Sequence, residues 1–161
     1  MLLTDYTTYA DIRAVLGVSE DDLTDETLAL TLYGDYLQNE LEDIALTLPD
    51  TYTTVKALTV RDSAQIRFLT ASRLFATFAV AKQLTAALPL FAAKQISDGK
   101  ATVGRFDTSY KETIKSVNEQ YEKLRARLLL TVSALGTTTT AATTRVFFGV
   151  ISPSTDVITN A

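Results

Sequence analysis

The stretch Asp62–Ala87, DSAQIRFLTASRLFATFAVAKQLTAA, decides the fold. We expect one long helix that begins near Asp62 or Ser63 and ends near Ala87, before Leu88-Pro89. Its large apolar side chains surround most of the helix circumference, which is typical of a central core helix rather than a surface helix. These residues are Ile66, Phe68, Leu69, Leu74, Phe75, Phe78, Val80 and Leu84.

A short helix and a longer acidic helix are predicted before this stretch. Thr8 is an N-cap, and Gly17 supplies the left-handed residue that ends the short helix. Thr24 caps the longer helix, which is expected to end at Pro49-Asp50. The threonine-rich segment 51–60, TYTTVKALTV, is predicted to be a loop with at most a brief strand. The apolar stripe of the longer helix comprises Leu28, Leu32, Tyr36, Leu37, Leu41, Ile44 and Leu48.

A fourth helix is predicted from Thr108 or Ser109 to Leu135. Its apolar residues recur at alternating spacings of four and three, as in a coiled-coil seam. Lys115 and Glu119 lie four apart on the exposed side, where they support the helix. Basic residues gather toward the C-terminal half and complement the helix dipole. The seam is Tyr110, Ile114, Val117, Tyr121, Leu124 and Leu128, and the basic residues are Lys123, Arg125 and Arg127.

Residues 91–106, between the third and fourth helices, predict a β-hairpin. Asp98-Gly99 lies between two β-capable runs, and a type I′ turn favours Asp-Gly because it needs two residues with positive φ. A two-residue loop pairs Ser97 with Lys100 and sets the remaining register. The further pairs are Ile96 with Ala101, Lys94 with Val103, and Phe91 with Phe106. Because two strands alone are marginal, the hairpin must lean on the bundle or gain strands from another copy.

The final segment, residues 136–161, has almost no charge and no helical periodicity. Within it, RVFFGVI (145–151) is apolar and β-prone, and such a segment promotes aggregation when exposed. One interpretation is a disordered tail, and the other, which we favour, is an arm ordered by a partner. The predicted fold is therefore mainly α: a helical bundle of about four helices in residues 1–135, with one β-hairpin insertion at 91–106 and an extended C-terminal arm at 136–161.

Charge is divided unevenly along the chain. Residues 1–50 hold twelve Asp or Glu and one Arg, whereas residues 51–161 hold fourteen Lys or Arg and seven Asp or Glu. The balance is therefore −11 in the first part and +7 in the second. The acidic helix either packs on basic helices of its own chain, or meets a basic face of the next copy in a heterologous contact. Nucleic-acid binding is weakly supported, because the basic residues are dispersed and alternate with Glu.

The chain has no cysteine and no histidine, which removes thiol nucleophiles, disulfides and the commonest general base and metal ligand. The acidic segment 19–26, SEDDLTDE, lacks the Gly and the terminal Glu of a calcium loop. We therefore expect no enzyme, no cofactor and no metal, with a carboxylate-based enzyme as the least favoured alternative. At 161 residues the chain makes one domain, without a visible signal peptide or a membrane-spanning run.

Two stretches of the chain resemble the head–tail adaptor (connector) proteins of tailed bacteriophages. YADIRAVLGVSEDDLTDETLAL (9–30) is similar to the start of these proteins, which often have a Tyr, a short helix and an acidic turn. AKQISDGKATVGRF (93–106), after an alanine-rich apolar helix and before a long helix, is similar to their middle region. The resemblance covers roughly residues 6–130 and does not include the tail after Gly136.

The resemblance implies a structural virion protein in the neck, at the head–tail interface, made in the host cytoplasm. Members usually assemble as twelve copies into a ring beneath the portal, which extends the DNA channel and docks the tail. The implied partners are other copies, the portal protein, and tail or neck proteins. DNA passes through the channel without sequence-specific binding, and no membrane is involved.

The residues expected to contact partners lie in the hairpin and in the arm. The alternative function is that of another helical neck or tail-completion assembly module without catalytic activity. The candidate contact residues are Lys94, Ile96, Lys100, Arg105, Arg145, Val146, Phe147, Phe148, Val150 and Ile151.

Overall fold

The computed structural model describes residues 2–87, 95–97, 102–104 and 110–140, with side chains described for 2–87 and 111–135. This part of the chain is mainly α, as predicted, but it contains six α-helices rather than about four. A 3-10 helix, Leu3–Asp5, precedes them. The α-helices are α1 Tyr9–Leu16, α2 Asp25–Leu28, α3 Thr31–Ile44, α4 Leu48–Ala57, α5 Ser63–Thr85 and α6 Tyr110–Thr140.

Helix α5 is the centre of the molecule, as predicted, because α1, α3, α4 and α6 all pack against it. Asp62 and Gln65 form a capping box at its start, which satisfies backbone groups that the first turn leaves unpaired. Phe68 and Phe75 are fully buried. The expectation of a helix covered on nearly all sides is wrong for its first half, where Ile66 is 54% exposed and Leu74 is 37% exposed.

Helix α1 ends as predicted. The Thr8 Oγ1 accepts a hydrogen bond from the Asp11 backbone N–H at 3.1 Å, and Gly17 adopts a left-handed φ of 67°. The buried residues Ile12 and Leu16 place one face of α1 in the core.

The long acidic helix predicted from Thr24 to Leu48 is instead two helices, α2 and α3, separated at Ala29-Leu30. Thr24 caps α2, as predicted, by accepting a hydrogen bond from the Thr27 backbone N–H. The prediction that Pro49 ends a helix is wrong, because Pro49 lies in the first turn of α4. Proline suits that position since the first N–H groups of a helix have no intrahelical acceptor.

The predicted loop at 51–60 is wrong for residues 51–57, because α4 continues to Ala57, whereas residues 58–60 are outside the helices. The hydroxyls of Thr51, Thr53 and Thr54 each donate to the carbonyl oxygen four residues earlier, which satisfies these polar side chains within the helix. Tyr52 is buried and its ring stacks on Tyr6 with centroids 3.9 Å apart, so α4 holds the N-terminal segment against the core.

Helix α6 follows its predicted seam, and Val117, Tyr121 and Leu128 are buried in the core. The predicted exposed pair is present, with Lys115 Nζ 3.9 Å from Glu119 Oε1. The helix ends at Thr140, five residues beyond the predicted end at Leu135. In the described part of the chain no helix is long and apolar enough to cross a membrane.

Two short strands, β1 Gln95–Ser97 and β2 Thr102–Gly104, pair in antiparallel orientation. The predicted register is wrong, because Ile96 pairs with Val103 rather than with Ala101. This pairing does not match the register that a two-residue turn at Asp98-Gly99 would set, and residues 98–101 themselves lie outside the described residues. The rest of the 91–106 hairpin lies outside the described residues.

Candidate functional site

The predicted partner-contact residues are not placed by the structure. Lys94, Lys100, Arg105 and the residues of the 145–151 segment lie outside the described residues. Only the backbone of Ile96 is described, and it belongs to β1. These contacts stay predictions, and the candidate sites below come from the helical part of the chain.

An open apolar groove runs between α1 and α6, across the surface of α5 that they leave uncovered. It consists of two adjoining cavities of about 410 and 340 Å³ that share Val15 and Phe78. We call it the α1/α5/α6 groove. The lining residues that matter below are Val15, Leu74, Phe78, Ser116, Val117 and Gln120.

The groove exists because α5 carries more apolar surface than its neighbours cover. Leu74 and Phe78 lie four residues apart, on a side of α5 that differs from the side of Phe68 and Phe75. Leu74 is 37% exposed, whereas Phe75, the next residue, is fully buried. The groove therefore has an apolar floor that a further segment of chain could cover.

Charged side chains also line the groove. Arg73 Nη2 donates to Asp11 Oδ2 at 2.7 Å and so links α5 to α1. The hydrogen bond from Arg73, followed by one involving Thr8, lowers the pKa of the Asp11 carboxyl, and the same pairing raises the pKa of Arg73. Glu112 of α6 is exposed and also lines the groove. The groove thus combines an apolar floor with carboxylates at its margins.

A second polar cluster lies where α3, α5 and α6 meet. The Tyr121 hydroxyl donates a hydrogen bond to the Glu40 carboxylate, and Lys82 Nζ lies 3.6 Å from the centroid of the Tyr121 ring. Burial, followed by the hydrogen bond to Glu40, raises the pKa values of Tyr36 and Tyr121. Both phenols therefore stay protonated near neutral pH and act as donors, not as bases. Through Glu40, Tyr121 and Lys82, the cluster connects α3 to α6 and α5.

The acidic segment that begins at Glu20 is organised by one cation. The Arg13 guanidinium is only 11% exposed, donates to Asp25 at 2.7 Å and to the Leu23 carbonyl at 3.0 Å, and lies 3.9 Å from Glu20. Within the described residues, no group of three or more Asp, Glu, His or Cys is arranged to hold a metal ion. This segment is a turn stabilised by its own ion pairs.

The surfaces of α3 and α6 carry opposite charge. The exposed residues Leu32, Asp35, Asn39 and Asp43 follow one another at spacings of three and four on α3, and we call them the acidic α3 stripe. Five exposed residues of α6 form what we call the basic α6 end: Lys123, Arg127 and Leu130 share one side of the helix, and Arg125 and Leu129 share another. Among the described side chains, Asp11–Arg73 is the single ion pair that joins residues 1–50 to residues 51–161.

Sequence reasoning missed the groove, although it identified α5 as the helix that forms the floor. A signal was present: the apolar residues of α5 surround more of its circumference than a few neighbouring helices can cover. Which part stays open depends on the positions of α1 and α6, which local sequence patterns do not specify.

No protein-family model, curated protein or solved structure matches this chain.

Proposed function

We propose that this chain is a structural, non-catalytic protein of tailed-phage virions, an adaptor that forms a ring between the portal and the tail. The order of its elements supports this proposal. A short helix ended by Gly17, an acidic turn, a long apolar helix, a strand pair and a second long helix occur in the order that the resemblance implies, with α2, α3 and α4 between the acidic turn and the long apolar helix. In the ring, usually of twelve copies, the chain extends the DNA channel and docks the tail.

The observation that carries the proposal is the separation of charge between the acidic α3 stripe and the basic α6 end. Asp35 and Asp43 are exposed on α3, and Lys123 and Arg127 are exposed on α6. None of the four makes an ion pair with another described side chain. Two surfaces of opposite charge on one chain favour a contact between copies, because each copy presents both partners.

Exposed leucines add apolar area to the same two surfaces. Leu32 is 58% exposed within the acidic α3 stripe, and Leu46, just beyond α3, is 79% exposed. Leu129 and Leu130 are 50% and 69% exposed at the basic α6 end. A contact between the two surfaces buries leucines on both sides while it pairs their charges. Such a contact is heterologous, and it closes into a ring when the rotation between copies permits.

The hairpin at 91–106 and the segment 145–151 have further roles in this proposal. The hairpin, with Lys94, Lys100 and Arg105, contacts a neighbouring copy or reaches along the channel. The segment 145–151 serves as an arm that a partner orders. The wall of the channel then consists of repeated copies of one chain, and the passing DNA is not read by sequence.

Charge reversal tests the proposed contact. The double variant Asp35→Lys/Asp43→Lys should prevent ring formation with the portal protein in electron micrographs, because like charges then face one another. A second double variant, Lys123→Glu/Arg127→Glu, should fail in the same way. An equimolar mixture of the two variants should form rings, since every contact in a ring that alternates the two variants joins a positive surface to a negative one. The four substitutions in one chain should restore assembly by exchanging both charges at every contact.

The matched control is Asp21→Lys/Glu26→Lys, which makes the same charge change at the acidic turn away from the stripe. This control should assemble normally. Equal losses in the control and in the stripe variant, or no rescue in the fourfold variant, would contradict the proposed contact. Rings that form on purified tails but never on the portal would favour the alternative of another neck or tail-completion module.

A further inference from the structure

We propose that the α1/α5/α6 groove binds the apolar segment Arg145–Ile151 of a second copy of this chain. The inference rests on the self-association in the proposed function, but it concerns a different surface from the acidic α3 stripe and the basic α6 end. The groove and the segment are chemically matched, and the length of the chain keeps Arg145 away from Glu112 of the same copy.

The chemical match begins with the floor of the groove. Val15, Leu74 and Phe78 offer an uncovered apolar surface between two helices. The segment Val146–Ile151, VFFGVI, contains five large apolar residues and no charge. Burial of aromatic side chains such as Phe147 and Phe148 in a groove of this kind is strongly favourable.

Charge complementarity sets the direction of the segment. Arg145 is the only basic residue after Arg127, and it comes directly before the apolar run. Glu112 lies at the margin of the groove, is exposed, and makes no ion pair with another described side chain. An arm with Arg145 near Glu112 and its phenylalanines over Phe78 pairs the Glu112 carboxylate with a guanidinium and covers the apolar floor of the groove.

The length of the chain separates the two possible sources of the arm. Glu112 lies twenty-eight residues before Thr140, about 42 Å along the helix at ~1.5 Å per residue. Arg145 is five residues beyond Thr140, so extended chain carries it at most about 18 Å back. Arg145 therefore cannot reach Glu112 of its own copy. A second copy is not limited in this way.

Disulfide trapping tests the inference directly, because the natural chain has no cysteine. Ser116→Cys places a thiol on an exposed groove position, and Val150→Cys places one in the segment. The two single variants of the full chain, one carrying a size tag, are mixed and oxidised with copper phenanthroline. We expect a mixed disulfide, about tenfold more abundant than with the control Thr53→Cys, since docking raises the effective concentration of the two thiols. Thr53 is exposed on α4, outside the groove and outside the acidic α3 stripe.

Three outcomes would overturn the inference. The first is equal cross-linking by Ser116→Cys and Thr53→Cys. The second is a double variant, Ser116→Cys/Val150→Cys, that forms only an internal disulfide, which would assign the groove to the arm of the same copy. The third is unchanged cross-linking when Phe147→Ser/Phe148→Ser is added to Val150→Cys. The assay needs only the purified chain, so its failure is distinguishable from failure to form rings on a portal.

Discussion

The two long helices of this protein, α5 and α6, use their apolar residues differently. From Phe75 onward, α5 is buried on most sides, and even small residues such as Ala76 and Ala79 are fully covered. Helix α6 is covered along one seam only, and Leu129 and Leu130 are exposed beside basic residues. The difference indicates that the fully buried residues of α5 stabilise the fold, whereas the exposed leucines of α6 are available for contacts between molecules.

The largest expected effect comes from truncating a core residue of α5. Phe75→Ala should lower the free energy of unfolding by about 4 kcal/mol, because the ring is fully buried and packs on Tyr121 with centroids 5.4 Å apart. Urea unfolding followed by circular dichroism measures this change. The control Leu130→Ala on α6 should change the free energy by less than about 0.5 kcal/mol, since its side chain is 69% exposed. Similar losses for both variants would remove the distinction between the two helices.

A smaller effect is expected where α6 meets both α5 and α3. Tyr121→Phe keeps the ring on Phe75 and under Lys82 but removes the hydroxyl that donates to Glu40. We expect a loss of about 2 kcal/mol in the free energy of unfolding, the range for hydrogen bonds to charged groups. Glu40→Gln keeps an acceptor for the hydroxyl and should cost less in the same urea experiment. If Tyr121→Phe proves neutral, the cluster does not help to hold α3 on the bundle.

Features that depend on neighbouring residues in sequence were predicted well. The caps at Thr8 and Thr24, the stop at Gly17 and the seam of α6 follow from local hydrogen bonding and from helical periodicity. The failure at α4 has a physical reason. Its threonines suggested extended chain, but in the helix their hydroxyls bond to carbonyls one turn back, and burial of Tyr52 outweighs their intrinsic preference.

Features that depend on packing between distant segments were not predictable in the same way. The break between α2 and α3 at Ala29-Leu30 has no Gly or Pro to mark it. The strand register was wrong because Asp98-Gly99 suits a two-residue turn, whereas pairing of Ile96 with Val103 requires a longer connection. The groove depends on how α1 and α6 lie on α5. Its residues were recognisable as apolar, but their exposure was not.

The smallest expected effect concerns the exposed half of α5, where Arg73 pairs with Asp11. Because the folded-state pKa of Asp11 is lowered, the carboxylate contributes stability above its unfolded pKa of about 3.9, and this contribution is lost as pH falls through the lowered folded value. Acid titration of the urea midpoint should therefore show a shallower loss of stability below about pH 4 for Asp11→Asn than for the natural chain. Arg73→Gln should have a similar effect, since the guanidinium is the main cause of the shift. The difference should shrink in high salt because both side chains are partly exposed. The Asp11–Arg73 pair could instead account for a loss of unfolding free energy in acid as large as the loss in Phe75→Ala. The exposed half of α5 would then matter as much to stability as its buried half, and burial would not explain the difference between α5 and α6.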